Sequence, residues 1–373
     1  MKGIGQINIF SLLVGGLLFL GYLFMLISII SEPSSSPDAN MVATIDNLRR
    51  ENSRKIVDLQ AELSNLKGKT TKNTESKTPS NFGTRSGVII LGMHRSGTSI
   101  IGGLMTKMGL QTGGPLISAA EDNEKGFFER IDVVLQNDYL MKDQQVHYGW
   151  KTHKYDVTKG LKRILTDDGS FFKEDTRALA FLNNPASSPW MLKDPRLCIT
   201  LRTWLPLLTT PPAILFTYRH PLDVALSLHK RAQEQYSIAY ALRIWYVYNR
   251  RAIQQSNDLC RVVSSHHNAM TTPDTEFARI HRELHLCGVN VPRLLTQEDI
   301  SSFIDMRLQH GKTTLKEDSC RLNIDTLQPP ATWVTQDPSD LKLYREAMRV
   351  YCAMEDKSAF TPSFVFDESI VNL

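Results

Sequence analysis

The sequence carries little excess of either charge and no long basic run: 43 Lys and Arg against 39 Asp and Glu leave a formal net charge of +4 over 373 residues. So small an excess argues against nucleic acid as a partner and requires any anion site to be local. Its five cysteines, Cys198, Cys260, Cys287, Cys320 and Cys352, lack metal-ligand spacing, so no zinc module is read from them. An oxidising compartment would permit one or two disulfides and leave one thiol free, without fixing the pairs. No Asn-x-Ser/Thr acceptor occurs, which removes glycosylation as support for a lumenal location. The most informative absence is in "VIILGMHRSGTS", residues 88–99, which has the glycine spacing of a phosphate loop without its lysine.

What is present is ordinary globular composition, 42% hydrophobic, over a length sufficient for a substantial core. "IFSLLVGGLLFLGYLFMLISII", residues 9–30, is uncharged, and as a helix at about 1.5 Å per residue it spans a bilayer core. A signal peptide is the alternative, but its apolar core is usually shorter and precedes a small-residue cleavage site. Lys2 precedes the span and Glu32 and Asp38 follow it, which predicts a cytoplasmic tail over 1–8, a signal anchor over 9–30 and the remainder on the lumenal side. Residues 31–86 read as a polar, helix-breaking stem. Within it, 41–66 is a helix candidate whose Ile45, Leu48, Ile56, Leu59, Leu63 and Leu66 fit a heptad pattern with a stutter. Either a short dimerising coiled coil or a solvated single helix satisfies that pattern, the first implying a homodimer through the stem.

From residue 87 the pattern changes to short apolar runs alternating with amphipathic stretches. Strands are predicted over 88–91, 213–218 and 261–264, and helices over 98–108, 131–145, 221–232, 238–254 and 341–354. This alternation predicts an α/β domain over 87–373, P-loop-like and three-layered, with a central parallel sheet flanked by helices and its ligand beyond the carboxyl ends of the strands.

A strand, a tight glycine turn and a helix amino terminus aim backbone N–H groups and a helix dipole at one point, which suits phosphate or sulfate. Gly92 and Gly97 allow the turn; Ser96, Thr98 and Ser99 add hydroxyls. In a nucleoside triphosphatase the residue after the second glycine is lysine. Here it is Thr98, the cation has moved to Arg95, and no apolar strand ending in an acidic magnesium ligand is evident. Those two losses argue against ATP hydrolysis.

"GMHRSGTS" resembles the 5′-phosphosulfate loop of sulfotransferases, whose donor is 3′-phosphoadenosine 5′-phosphosulfate (PAPS). "AILFTYRHPLDVALSL" is similar to their second loop, with Arg219 at a strand end, Pro221 at a helix start and Ser227 eight residues after the arginine. "NEKGFFER", "WMLKDPRL" and "SLHKRAQEQYSIAYALRIWYVYNR" resemble the branch beginning Gly-Met-His-Arg, so the likeness covers about 87–260. The resemblance implies PAPS as co-substrate without a metal, a carbohydrate or glycoconjugate acceptor, and a single-pass type II protein of the Golgi membrane. It implies that Arg95, Ser96, Gly97, Thr98 and Ser99 hold the 5′-phosphosulfate, that Arg219 and Ser227 hold the 3′-phosphate, and that Arg95 is catalytic. Tyrosine, lipid or small-molecule acceptors stay open within the class. A nucleotide phosphotransferase and a catalytically inactive Golgi binding or scaffold protein are the readings outside it.

An alcohol acceptor needs a general base. Asp194 in "LKDPR" is the first candidate, with Lys193 reaching the sulfate, and Glu129 in "GFFER" is the second. A structural ion pair between Asp194 and Arg196 is the alternative for the first. His94 is read as shaping the loop, and His220 as touching adenine or capping its helix. His266, His267, His281 and His285 read as solvated positions without a third metal ligand. Trp245, Tyr246 and Tyr248 read as core, while Phe127, Phe128 and Trp150 are candidates for an acceptor wall.

Overall fold

The structure of the protein is a computed structural model that describes residues 84–372, apart from 121–122, 147–148, 167–175, 233–235, 305–319 and 332. Of the tail, membrane span and stem with its coiled coil, expected over 1–86, all but residues 84–86 lie outside the described residues. Among those that are described, no helix is long and apolar enough to cross a membrane.

Four parallel strands form the centre: β1 (Gly87–Leu91), β2 (Trp190–Lys193), β3 (Ala213–Tyr218) and β4 (Arg261–Ser265), in the spatial order β2-β1-β3-β4. Val88 pairs with Met191 on one side and Ala213 on the other, and Leu215 pairs with Val262. Val88, Ile89, Ile90 and Leu91 are all fully buried, as a parallel sheet covered on both faces requires. Each such aliphatic side chain contributes about 1.5–3 kcal/mol on leaving water.

The period of two divides these residues between two cores. Val88, Ile90, Met191, Leu215 and Val262 face α1 (Thr98–Lys107), α8 (His266–Thr271), α9 (Pro273–Leu286) and α10 (Gln297–Phe303). Ile89, Leu91, Leu192, Ile214 and Phe216 face the second layer. That layer holds α2 (Ile131–Asp143), α3 (Val157–Leu165), α4 (Thr176–Leu182), α5 (Leu197–Trp204), α6 (Pro221–Arg231), α7 (Ile238–Gln255) and α11 (Pro338–Glu355). The three-layer parallel architecture expected from the sequence is the one observed, and Trp245, Tyr246 and Tyr248 are core. β2 is an addition: its apolar run is only three residues long, and its pairing with β1 makes it a strand.

Local signals set the helix starts. Ser237 accepts the Tyr240 N–H ahead of α7, and Asp337 accepts the Ser339 N–H ahead of α11, where Pro338 takes the first position. Two disulfides join Cys260 to Cys287 and Cys320 to Cys352, leaving Cys198 as a buried thiol.

Candidate active site

The turn between β1 and α1 is built on left-handed backbone: Arg95 has φ 68° and Gly97 has φ 84°. A Cβ on Gly97 would lie 2.6 Å from Cδ2 of His266, so glycine is required for space as well as for conformation. The Ser96 N–H donates to the Met93 carbonyl at 3.1 Å and closes the turn. That bond removes Ser96 N–H from the expected set of anion donors. Its hydroxyl is the contrary case: Ser96 Oγ is buried and, among the described residues, has no hydrogen-bond partner. Beyond Gly97, the first N–H groups of α1 have no intrahelical acceptor and carry the positive end of its dipole.

Because β3 adjoins β1, its carboxyl end delivers the second loop to the same place. Arg95 Nε donates to Ser227 Oγ on α6 at 3.0 Å, and Arg219 Nη1 donates to the Arg95 carbonyl at 3.4 Å. Two segments more than 120 residues apart thus form one cationic cluster around the mouth of the glycine turn. Burial lowers the Arg219 pKa, and Asp223, 3.6 Å from Nε, opposes that shift. His220 occupies the cap position of α6 but caps it through no side-chain bond. Its ring instead stands edge-on to Tyr351, with centroids 5.0 Å apart, and both buried ring nitrogens lack hydrogen-bond partners among the described residues. Burial holds His220 neutral, its pKa lowered to about 4.

The end of β2 supplies a third group. Lys193 Nζ, almost fully buried, donates to Glu129 Oε1 at 2.5 Å, to the Phe127 carbonyl at 3.0 Å and to Ser99 Oγ at 3.2 Å. These partners account for all three ammonium protons. Lys193 therefore ties the first turn of α1 to the "GFFER" segment. Burial raises the Glu129 pKa and Asp194 adds to the rise, while Lys193 and Arg196 oppose it.

Asp194, the other candidate base, is enclosed more completely. Its side chain is 0% exposed, Oδ1 accepts from the Arg196 backbone and guanidinium, and Oδ2 accepts from Asn137 at 2.8 Å. Burial alone would raise its pKa, but Arg196 and Asn137 overcome that and hold the carboxyl below its usual range. A weakened, fully engaged base without access to solvent is the structural ion pair left open by the sequence. Arg196 also donates to Asp138 at 2.6 Å, which fixes α2 against the end of β2.

Several participants were not singled out from the sequence. Asn137 is a buried hub that also accepts from Thr200 Oγ1 and Trp204 Nε1. Asn123 donates to Ser99 Oγ at 3.1 Å, and Cys198 Sγ accepts the Gly92 N–H at 3.3 Å. His266, read as a solvated position, lies against Gly97, with its pKa lowered to about 3 by burial and by Arg219. Its place directly after β4 was the available signal, since sites in such folds gather at strand ends. His94 is lowered to about 3 by burial, with Arg196 and Lys193 nearby. Phe128 packs on Gly102 and Phe303 rather than lining an open wall, and the Trp150 side chain lies outside the described part. Among the described residues, no group of three or more His, Cys, Asp or Glu could hold a metal ion.

No family model and no curated protein sequence matches the chain. Six chains of solved structure match it. One is the sulfotransferase domain from the Synechococcus PCC 7002 olefin synthase, at 15% identity and a TM-score of 0.38, covering 72% of this chain and 97% of that one. Another is the sulfotransferase domain from the curacin biosynthetic pathway, at 13% identity and a TM-score of 0.37, covering 74% and 98%. A third is sulfotransferase STF1 from Mycobacterium tuberculosis H37Rv, at 15% identity and a TM-score of 0.33, covering 60% and 71%. At these TM-scores the likeness carries no argument, and the roles assigned below rest on the residues and their geometry.

Proposed function

We propose that the protein is a sulfotransferase that moves the sulfuryl group of PAPS to a hydroxyl of a carbohydrate acceptor in the secretory pathway. The observation that carries this reading is the union of the two loops: Arg95 bonds to Ser227 while Arg219 bonds to the Arg95 carbonyl. Two anionic ends of one donor explain two cationic loops that meet without a P-loop lysine. The residues fit such a donor on independent grounds, because the orphaned, buried Ser96 hydroxyl suits a phosphate oxygen. The two disulfides support an oxidising compartment, and the apolar span at 9–30 would anchor the chain in a Golgi membrane.

Ser96 Oγ, the Thr98 and Ser99 N–H groups and the α1 dipole hold the 5′-phosphosulfate, and Arg219 with Ser227 holds the 3′-phosphate. Arg95 stands where negative charge grows on the bridging oxygen, so it stabilises the transition state more than the ground state. In the transfer, the acceptor oxygen forms a bond to sulfur while the bond from sulfur to the bridging oxygen breaks. The electron pair of that bond stays on the phosphate, and the acceptor proton passes to a carboxylate. Glu129 is that base: its raised pKa gives it more affinity for a proton than Asp194, and Lys193 orients it beside Ser99. Asp194 positions Arg196 and takes no proton.

The test is donor recognition by the full chain in detergent, followed by thermal shift. Adenosine 3′,5′-bisphosphate with EDTA is expected to stabilise the protein, and labelled PAPS to pass sulfate to a mixed glycan pool. Stabilisation by ATP with magnesium alone would overturn the reading in favour of a phosphotransferase.

A further inference from the structure

The helix that opens at the glycine turn contains two adjacent glycines, Gly102 and Gly103, one turn in. Each costs about 1 kcal/mol relative to alanine in a helix interior, so two together need a packing reason. The structure supplies one for each. A Cβ on Gly102 would lie 3.2 Å from Phe128 Cβ, and one on Gly103 would fall within the Phe303 ring, 1.8 Å from Cζ. The two rings also pack on each other, with centroids 5.8 Å apart. Lys125 Nζ donates to the Ser302 carbonyl at 3.0 Å, so the segment ahead of Phe128 is tied to α10 a second time.

Phe128 itself has φ 57°. A bulky non-glycine residue held in the left-handed region persists only where its surroundings over-determine it, and such strain gathers at functional sites. Its carboxyl neighbour is Glu129, and its amino neighbour, Phe127, gives its carbonyl to Lys193. The left-handed turn therefore separates a ring seated against α1 from a carboxylate aimed at Lys193.

We propose that Phe128 and Phe303, seated in the Gly102–Gly103 notch of α1, are positioning residues that fix Glu129 beside the donor-binding end of that helix. The proposal rests on the assignment of Glu129 as acceptor base. The notch makes the helix that receives the donor and the loop that carries the base a single rigid unit, joined as well through Lys193 and Asn123 to Ser99. Neither phenylalanine touches the transferred group; each acts through Glu129.

The experiment compares wild type, Phe303→Ala, Phe303→Leu and Glu129→Gln as full chains, reading affinity for adenosine 3′,5′-bisphosphate, kcat, KM and the pH-rate profile. The groups facing Glu129 are Lys193, Arg196 and Asp194, and Lys193 is the cation that holds its proton affinity down. Loosening the loop weakens that pair, so the acid limb of kcat moves to higher pH in Phe303→Ala. A displacement of the base on the scale of an ångström lowers kcat by about 100-fold. The expected result is that loss with bisphosphate affinity within about twofold of wild type, and with most activity restored in Phe303→Leu, as a positioning role requires. An unchanged kcat and acid limb in Phe303→Ala, with Glu129→Gln inactive, would overturn this inference alone. Full activity in Glu129→Gln would overturn the base assignment and the inference with it.

Discussion

Replacing Lys193 by methionine tests the centre of the site most directly. The change keeps the length of the side chain and removes its charge and all three hydrogen bonds. At 2.5 Å and an effective dielectric constant of about 20, the gross attraction between Lys193 and Glu129 is about 7 kcal/mol before desolvation is subtracted. The net loss is smaller. Breaking a buried pair by removing one partner costs about 3–5 kcal/mol, because the survivor is left charged in a poor solvent. Arg196, 3.8 Å from the other Glu129 oxygen, offers only partial compensation and already serves Asp194 and Asp138. Against a total stability of about 5–15 kcal/mol, Lys193→Met is severe. Its effect depends on pH in a set direction. Without the ammonium the folded-state pKa of Glu129 rises further, and a carboxyl with a raised pKa binds more protons folded than unfolded. Stability is then fullest below the unfolded carboxyl pKa of about 4.3 and is lost as pH rises toward the folded value. Urea unfolding of the variant should therefore show a larger deficit at about pH 8 than at about pH 5. Lys193→Met with Glu129→Gln removes both charges and should recover much of the deficit, giving a coupling energy of about 2 kcal/mol or more. A single-variant cost below about 1 kcal/mol, or strictly additive effects in the cycle, would refute a tight buried pair.

Arg95→Ala should lower kcat by two or more orders of magnitude, the scale of losing one preorganised oxyanion donor. Arg219→Ala should mainly weaken adenosine 3′,5′-bisphosphate binding, read by calorimetry; unchanged kinetics in both variants would contradict their roles. Gly97→Ala should cost about 1–2 kcal/mol for its left-handed backbone alone, and more because the new methyl meets His266. Its thermal midpoint and donor affinity should fall together, and a neutral result in both would count against the tight turn.

The outer frame of the fold was legible because burial writes itself into sequence. β1 and β3 are runs of apolar residues with no polar face, as strands covered on both sides must be. β2 was not legible: three apolar residues ending in lysine could close a helix or a loop, and only pairing with β1 decides. The start of α11 lies three residues before the first periodic apolar residue, at Pro338 capped by Asp337, a signal present but outweighed by the apolar pattern. Cysteine pairing needed the tertiary approach of the start of β4 to the end of α9, which no spacing encodes. In the site, the spacing within two loops that resemble those of sulfotransferases pointed to Arg95, Arg219 and Ser227, and the pairing of β1 with β3 brings those loops together. Asp194 was placed ahead of Glu129 from sequence, which does not show what buries each and what bonds to it.

The same difference sets the charge balance around the glycine turn. In "LKDPR" and "GFFER" four charges lie within reach of one another: Lys193, Asp194, Arg196 and Glu129. Asp194 neutralises Arg196 and leaves it no net attraction for a donor, while Lys193 is balanced by Glu129. Lys193, at the end of β2, is therefore spent on aligning a carboxylate. On the proposed reading, the positive potential at the anion comes from Arg95, Arg219 and the α1 dipole. The proposed donor site and the proposed base therefore meet at the first turn of α1, where Lys193 bonds to both Ser99 and Glu129.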